Sequence, residues 1–144
     1  MRGRVSSVEP TLVGPLFFLI IAMAGCSDID SAACPDGMDN FVNYQLFMGR
    51  STSDGNIVSD ADWDRFLADI VTPRFPDGLT VLDGKGQWRN SAGVIEKEKS
   101  KVLIILAPQG EDAMRLIDEV SGEYKSRFNQ ESVLKVLEDA CVSF

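Results

Sequence analysis

The chain predicts an α+β domain, and three patterns carry that prediction. Two segments repeat apolar residues at helical spacing, four others read as strands, and one of those strands is apolar on both faces. Taken in order they spell β-α-β-β-α-β, the ferredoxin-like pattern, in which both helices lie on one side of an antiparallel sheet. The 144 residues give room for one such domain and an appendage. Composition is that of an ordinary folded protein, 44% hydrophobic and 25% charged. Residues 1–25 read as an export address, 26–40 as a tether and 41–144 as the folded domain.

The address comes first. Arg2 and Arg4 make a positive start, slightly offset by Glu9, and Leu16-Phe17-Phe18-Leu19-Ile20-Ile21-Ala22-Met23-Ala24 follows as an apolar run of signal-peptide length. Counted generously from Thr11 to Gly25 the stretch has only 15 residues, with Gly14 and Pro15 inside it, whereas a membrane span needs about 20. It ends in Met23-Ala24-Gly25-Cys26, which resembles the bacterial lipobox. That resemblance implies cleavage before Cys26, a diacylglycerol on its sulfur and acylation of the new amino terminus. Several chains are needed because one alone binds a bilayer only marginally. Ser27 stands where an aspartate would resemble an inner-membrane retention signal, so in a Gram-negative host the expected address is the periplasmic face of the outer membrane. Plain secretion after nearby cleavage and an uncleaved short anchor are the competing readings.

Residues 27–40 are small and polar, broken by Pro35 and Gly37. Their aspartates (Asp28, Asp30, Asp36 and Asp39) lack the spacing and closing glutamate of a calcium loop. Residues 41–48 place Val42, Tyr44, Leu46 and Met48 on one face and Phe41, Asn43, Gln45 and Phe47 on the other, a strand. Ser59 suits a helix N-cap, with Asp62 three residues on. Trp63, Phe66, Leu67, Ile70 and Val71 then form one apolar stripe until Pro73 and Pro76 stop the helix. A metal or acid–base reading of Asp60, Asp62 and Asp64 is the costlier one, since capping and the helix dipole account for them.

Leu79-Thr80-Val81-Leu82 opens a second strand that runs raggedly past Gly84 and Gly86 to Trp88, where a bulged or twisted hairpin is expected. Asn90-Ser91-Ala92-Gly93 makes the turn. The chain returns through the charge run Glu96-Lys97-Glu98-Lys99-Ser100-Lys101, read as a solvated arm, into Val102-Leu103-Ile104-Ile105-Leu106. That run is apolar on both sides, as a covered central strand should be. Residues 111–128 form the second helix, with Ala113, Leu116, Ile117, Val120, Tyr124 and Phe128 on one face and charges matched to the dipole at both ends. Residues 132–137 are the last strand, with a continuation toward Val142.

This topology lays the last strand antiparallel beside the first. Cys141, after the fourth strand, and Cys34, before the first, are thereby brought near each other. In an oxidising compartment a disulfide is expected; two free thiols are the alternative.

Several chemistries are excluded. The formal charge is −8, from 14 basic and 22 acidic residues, and no basic stripe interrupts that field, so nucleic acid is not an expected partner. Histidine is absent, which removes Ser-His-Asp and Cys-His catalysis and histidine metal ligands. Three cysteines without a CxxC pair do not make a zinc site. Gly84-Lys85-Gly86-Gln87-Trp88-Arg89 lacks the third glycine and following helix of a phosphate loop. No metal and no cofactor is expected.

Five segments together carry a family likeness: Tyr44-Gln45-Leu46-Phe47-Met48-Gly49, Pro73-Arg74-Phe75-Pro76-Asp77-Gly78, Gly86-Gln87-Trp88-Arg89, Ser100-Lys101-Val102-Leu103-Ile104-Ile105, and Arg127-Phe128-Asn129-Gln130-Glu131-Ser132-Val133. The chain resembles a family of bacterial lipoproteins catalogued only as a domain of unknown function, from about Asn43 to Phe144. The resemblance implies export and the extent of the domain, and no reaction.

The candidate site is the sheet face that the two helices leave open. Asn43 and Gln45 would be polar groups in an apolar hollow there, a composition typical of ligand sites. Trp88 and Arg89 are residue types that dominate binding hot spots. A second copy stacked face to face would cover the same surface. The expected function is therefore a lipid-anchored envelope module for binding or interaction. A small-ligand protein or enzyme using the open face, for instance as a dimeric α/β barrel, is the alternative; no strong acid–base pair supports catalysis.

Overall fold

In a computed structural model, residues 34–52 and 54–144 are described. The export address, Cys26 and most of the tether lie outside them. The described chain runs β1 (Asp39–Gly49), α1 (Asp60–Phe66) leading into a π-helical turn (Leu67–Val71), β2 (Thr80–Arg89), β3 (Ile95–Pro108), α2 (Glu111–Phe128) and β4 (Leu134–Val142). The four strands form one sheet in the order β2-β3-β1-β4, every pair antiparallel. This is the ferredoxin-like α+β fold.

Alternation along β1 sets the layers. Val42, Tyr44, Leu46 and Met48 are buried, as are Leu103, Ile105 and Ala107 opposite them on β3. The helices close this face with Trp63, Phe66 and Val71 from the first and Ile117, Val120 and Tyr124 from the second. Each fully buried Leu or Ile contributes roughly 1.5–3 kcal/mol. The rings of Trp63, Phe66, Tyr124 and Phe128 meet mostly edge to face, at centroid distances from 5.0 to 6.0 Å.

Local chemistry explains the ends. Ser59 accepts from the Asp62 N–H at 3.1 Å and donates to the Asp62 carboxylate at 2.6 Å, the capping arrangement expected of this pair. After Phe66 the helix widens: the Thr72 N–H reaches back five residues to the Leu67 carbonyl at 2.9 Å. The proline at 73 has no N–H to continue the ladder. The widening keeps Val71 fully buried and leaves Leu67 and Ile70 half-buried. Asn129, at φ 49°, caps α2 in the left-handed region where asparagine is tolerated.

Two expectations need correction. β2 pairs with β3 in unbroken register from Thr80↔Ile104 to Arg89↔Ile95, so the hairpin has no bulge. Gly84 serves close approach instead: a Cβ there would meet Ser100 Oγ at 2.7 Å. The last strand starts at Leu134, two residues later than expected, and continues to Val142. Its continuation is held by pairing with the whole of β1, a tertiary effect.

The disulfide joins Cys34 to Cys141 across 107 positions, with Cα atoms 5.5 Å apart. It closes the β1–β4 edge where Asn40 faces Cys141. No helix among the described residues is long and apolar enough to cross a membrane.

Candidate functional site

The face away from the helices is organised in rows that cross the strands. One row is wholly apolar: Leu82, Val102, Phe47 and Leu134. The next is Thr80, Ile104, Gln45 and Val136, and the third sets Leu106, Asn43 and Glu138 side by side. Phe47 is 36% exposed, Leu106 42%, Leu82 49% and Leu134 61%. Such a run of large apolar side chains across a whole sheet is a surface that a partner or ligand normally covers.

Its polar centre is small. The amides of Asn43 and Gln45 both donate to one oxygen of Glu138, each at 3.5 Å, which is the long limit of a hydrogen bond. Asn43 Oδ1 is buried with no hydrogen-bond partner among the described residues. A buried acceptor left unmade costs about 1–3 kcal/mol. Glu138 is a site residue that the sequence does not single out, because it lies past the apolar part of the last strand; the alternation Leu134, Val136, Glu138 is the signal that places it on this face.

Trp88 and Arg89 are not brought to Asn43 and Gln45. β1 ends at Gly49, opposite Ser100, while the hairpin continues through five further pairs. Trp88 therefore sits far along the projecting arm, lining a separate hollow of about 420 Å³ with Thr52, Ile57, Glu96 and Gln130. Arg89 is exposed and donates to the Gly93 carbonyl at 3.2 Å across the hairpin turn.

At the base of the arm lies a feature the charge pattern concealed. Lys101 is buried, with Nζ 2.6 Å from Asp83 and 4.0 Å from Asp60. Arg50 is buried too, donating to the Val58 carbonyl at 2.7 Å and to Asp60 at 2.8 Å. The Lys101 ammonium holds the Asp83 carboxyl below the usual carboxylate range, by hydrogen bond and charge. These two cations tie the loop after β1 and the start of α1 to the sheet. Their partners are aspartates, so the cluster reads as a staple.

A second concavity lies at the opposite end of the domain. Residues 74–80, the end of β3 and the first turns of α2 enclose a cleft of about 940 Å³. It lies where β3 extends beyond its last β2 partner, at Ile104. Among the described residues no group of three or more His, Cys, Asp or Glu side chains could hold a metal ion.

A family model described as "Protein of unknown function (DUF3574)" matches residues 43–144. The chain belongs to the DUF3574 family. The match covers both helices and the sheet from Asn43 of β1 onward. No curated protein matches the chain. Among solved structures, the DUF3574 chain is similar to a phage SAM lyase in complex with S-methyl-5'-thioadenosine, at 16% identity and a TM-score of 0.58, covering 79% of this chain and 95% of that one. The apo state of a phage SAM lyase is similar at 16% identity and a TM-score of 0.55, over 78% and 95% of the two chains. A PII-like signaling protein from Thermus thermophilus gives 13% identity and a TM-score of 0.46, over 74% and 92%. The lyase likenesses establish the shared fold and nothing of chemistry.

Proposed function

We propose that this DUF3574 chain is an exported, lipid-anchored envelope module that acts by binding, with the open sheet face as its docking surface for a second copy. The observation that carries the reading is the exposed apolar row Leu82, Val102, Phe47 and Leu134 beside a polar centre whose two amides reach Glu138 only at 3.5 Å. Carboxamides are self-complementary, since each offers donors and an acceptor. The Asn43 and Gln45 amides, which reach Glu138 only at 3.5 Å, can exchange those long bonds for bonds to the same amides of a partner. Disulfides persist in oxidising compartments, so the Cys34–Cys141 bond supports export.

Magnitude favours a weak pair. Four strands about 4.8 Å apart, each with about seven residues on a ~3.3 Å rise, present roughly 400 Å² of flat face. Two such faces fall in the range of transient interfaces, below ~1,200 Å² in total. A lipid on Cys26 would confine copies to one surface and raise their effective concentration. Weak self-association and an anchor therefore fit together.

Intact and native mass spectrometry of the detergent-extracted full chain tests the reading. The expected spectrum starts at Cys26 with acyl mass added and shows dimer growing with protein concentration. Phe47→Glu, which sets a charge in the apolar row, is expected to leave monomer throughout. An unmodified Cys26 would remove the anchor, and a wild-type monomer at every concentration would remove the dimer. The second reading, a small ligand held by the Asn43 and Gln45 amides, would appear instead as extra mass on that monomer.

A further inference from the structure

We infer that the cleft at the start of α2 binds a single-chain membrane amphiphile, its aliphatic chain inside and a zwitterionic, ammonium-bearing head group at the rim. The inference rests on the lipid anchor proposed above. The cleft, about 940 Å³, lies at the upper end of the ~300–1,000 Å³ typical of small-molecule sites. Its walls are apolar, with Phe41, Phe75, Leu79, Ile104, Leu106 and Leu116 among them. Leu106 and Ile104 belong to the open sheet face, while Phe75 and Leu116 come from the helix side, so the cleft wraps around the end of β3.

Position selects the occupant. Phe41 and Gln109 line both this cleft and the hollow beside Cys34 and Cys141. The chain therefore leaves the domain next to the cleft, pinned there by the disulfide. Only residues 27–33 separate Cys34 from Cys26. Eight steps of at most ~3.6 Å keep Cys34 within about 30 Å of the lipidated residue. An apolar cleft held that close to a bilayer meets acyl chains at far higher local concentration than any dilute periplasmic solute.

Charge selects the head group. Asp77, Glu111 and Asp112 are among the cleft's lining residues, Asp112 with Arg115 at 3.4 Å and the other two carboxylates in excess over the cations there. Its arginine, Arg74, is engaged by Glu119 at 3.1 Å and by the Ile70 carbonyl at 2.8 Å. The positive end of the α2 dipole is already matched by Glu111 and Asp112. An anionic head would be repelled, whereas an ammonium would be attracted.

The test titrates lysophosphatidylethanolamine and lysophosphatidylglycerol into the full chain in maltoside micelles and reads retained lipid by native mass spectrometry. One equivalent of the ethanolamine lipid is expected, retained at least tenfold better than the glycerol lipid. Ala113→Trp, which fills the cleft from the first turn of α2, should lower retention at least tenfold. The Glu111→Gln/Asp112→Asn pair should weaken the head-group preference, with an unchanged thermal midpoint showing that both variants fold. Equal retention of both lipids by the wild type, equal retention by Ala113→Trp, or no retention at all would overturn the assignment. The same spectra read acyl mass on Cys26, so loss of the anchor with lipid retained, and an intact anchor with none retained, are separate outcomes: the first overturns the anchor, the second the cleft.

Discussion

Tyr124 shows how a single side chain joins the layers. Its ring is fully buried among Trp63, Phe66 and Phe128, and its hydroxyl donates to the Gly49 carbonyl at 2.8 Å, at the end of β1. Helical spacing puts Tyr124 on the apolar face of α2, but the acceptor is 75 positions away in the chain. Tyr124→Phe keeps the packing and strands the carbonyl, so urea denaturation should show a loss of about 1 kcal/mol. Burial also raises the phenol pKa of both Tyr44 and Tyr124 above the ordinary value of 10.0. A raised folded-state pKa means that folding favours the protonated phenol. The stabilisation is complete below pH ~10 and is lost as pH rises toward the folded-state value. Ultraviolet titration should therefore show no tyrosinate near the ordinary pKa and then ionisation coincident with unfolding. Two phenols titrating normally in folded protein would contradict the burial.

Among the elements, α1 depends most on its cap. It spans seven residues before the π-helical turn, too short to persist on propensity alone. Ser59 is therefore expected to matter: Ser59→Ala should cost about 1 kcal/mol. Hydrogen exchange should rise first at residues 60–66, because the cap is local and the sheet does not depend on it. The Ser59 hydroxyl, followed by Arg65, holds the Asp62 carboxyl below the usual range. That depression stabilises the fold above the ordinary carboxylate range and disappears as pH falls through the folded-state value. The helix start was legible from Ser59 and Asp62, because capping is short-range chemistry. The hairpin was less so. Gly84 and Gly86 look like a bulge in isolation, yet β3 keeps β2 in unbroken register, and Gly84 meets Ser100 across the strands. Lys101 misleads in the same way: an alternating charge run reads as solvent-facing until the Asp83 and Asp60 partners are in place.

At the scale of the molecule, the Cys34–Cys141 bond closes a loop of 107 positions around nearly the entire domain. Chain entropy assigns such a loop up to about 4.7 kcal/mol, with typical measured losses of ~2–5 kcal/mol. Reduction, or the Cys34→Ser/Cys141→Ser pair, should lower stability in urea by that range, and intact mass should rise by two hydrogens on reduction. An unchanged midpoint would mean that the bond adds nothing to what β1–β4 pairing already holds. The open face and the cleft exist only at this scale. Asn43 and Gln45 could be assigned to one side of β1 from alternation. Their neighbours Leu106, Ile104, Glu138 and Val136 come from two other strands. The cleft draws on residues 74–80, β3 and α2 together, and no local pattern announces it.

By itself the chain of residues determined the order of the elements, the faces that alternate along β1, the extent of α2 and the cysteines that topology could bring together. The first three follow from periodicity and capping, which act over a few residues, and the last from the order of elements that these spell out. The tertiary structure alone decided the register of β2, the start of β4, the burial of Arg50 and Lys101, and the separation of Trp88 from Asn43. Those depend on which strands end before their neighbours and which charges meet across them, and a pairing between distant segments is set by the whole packed sheet.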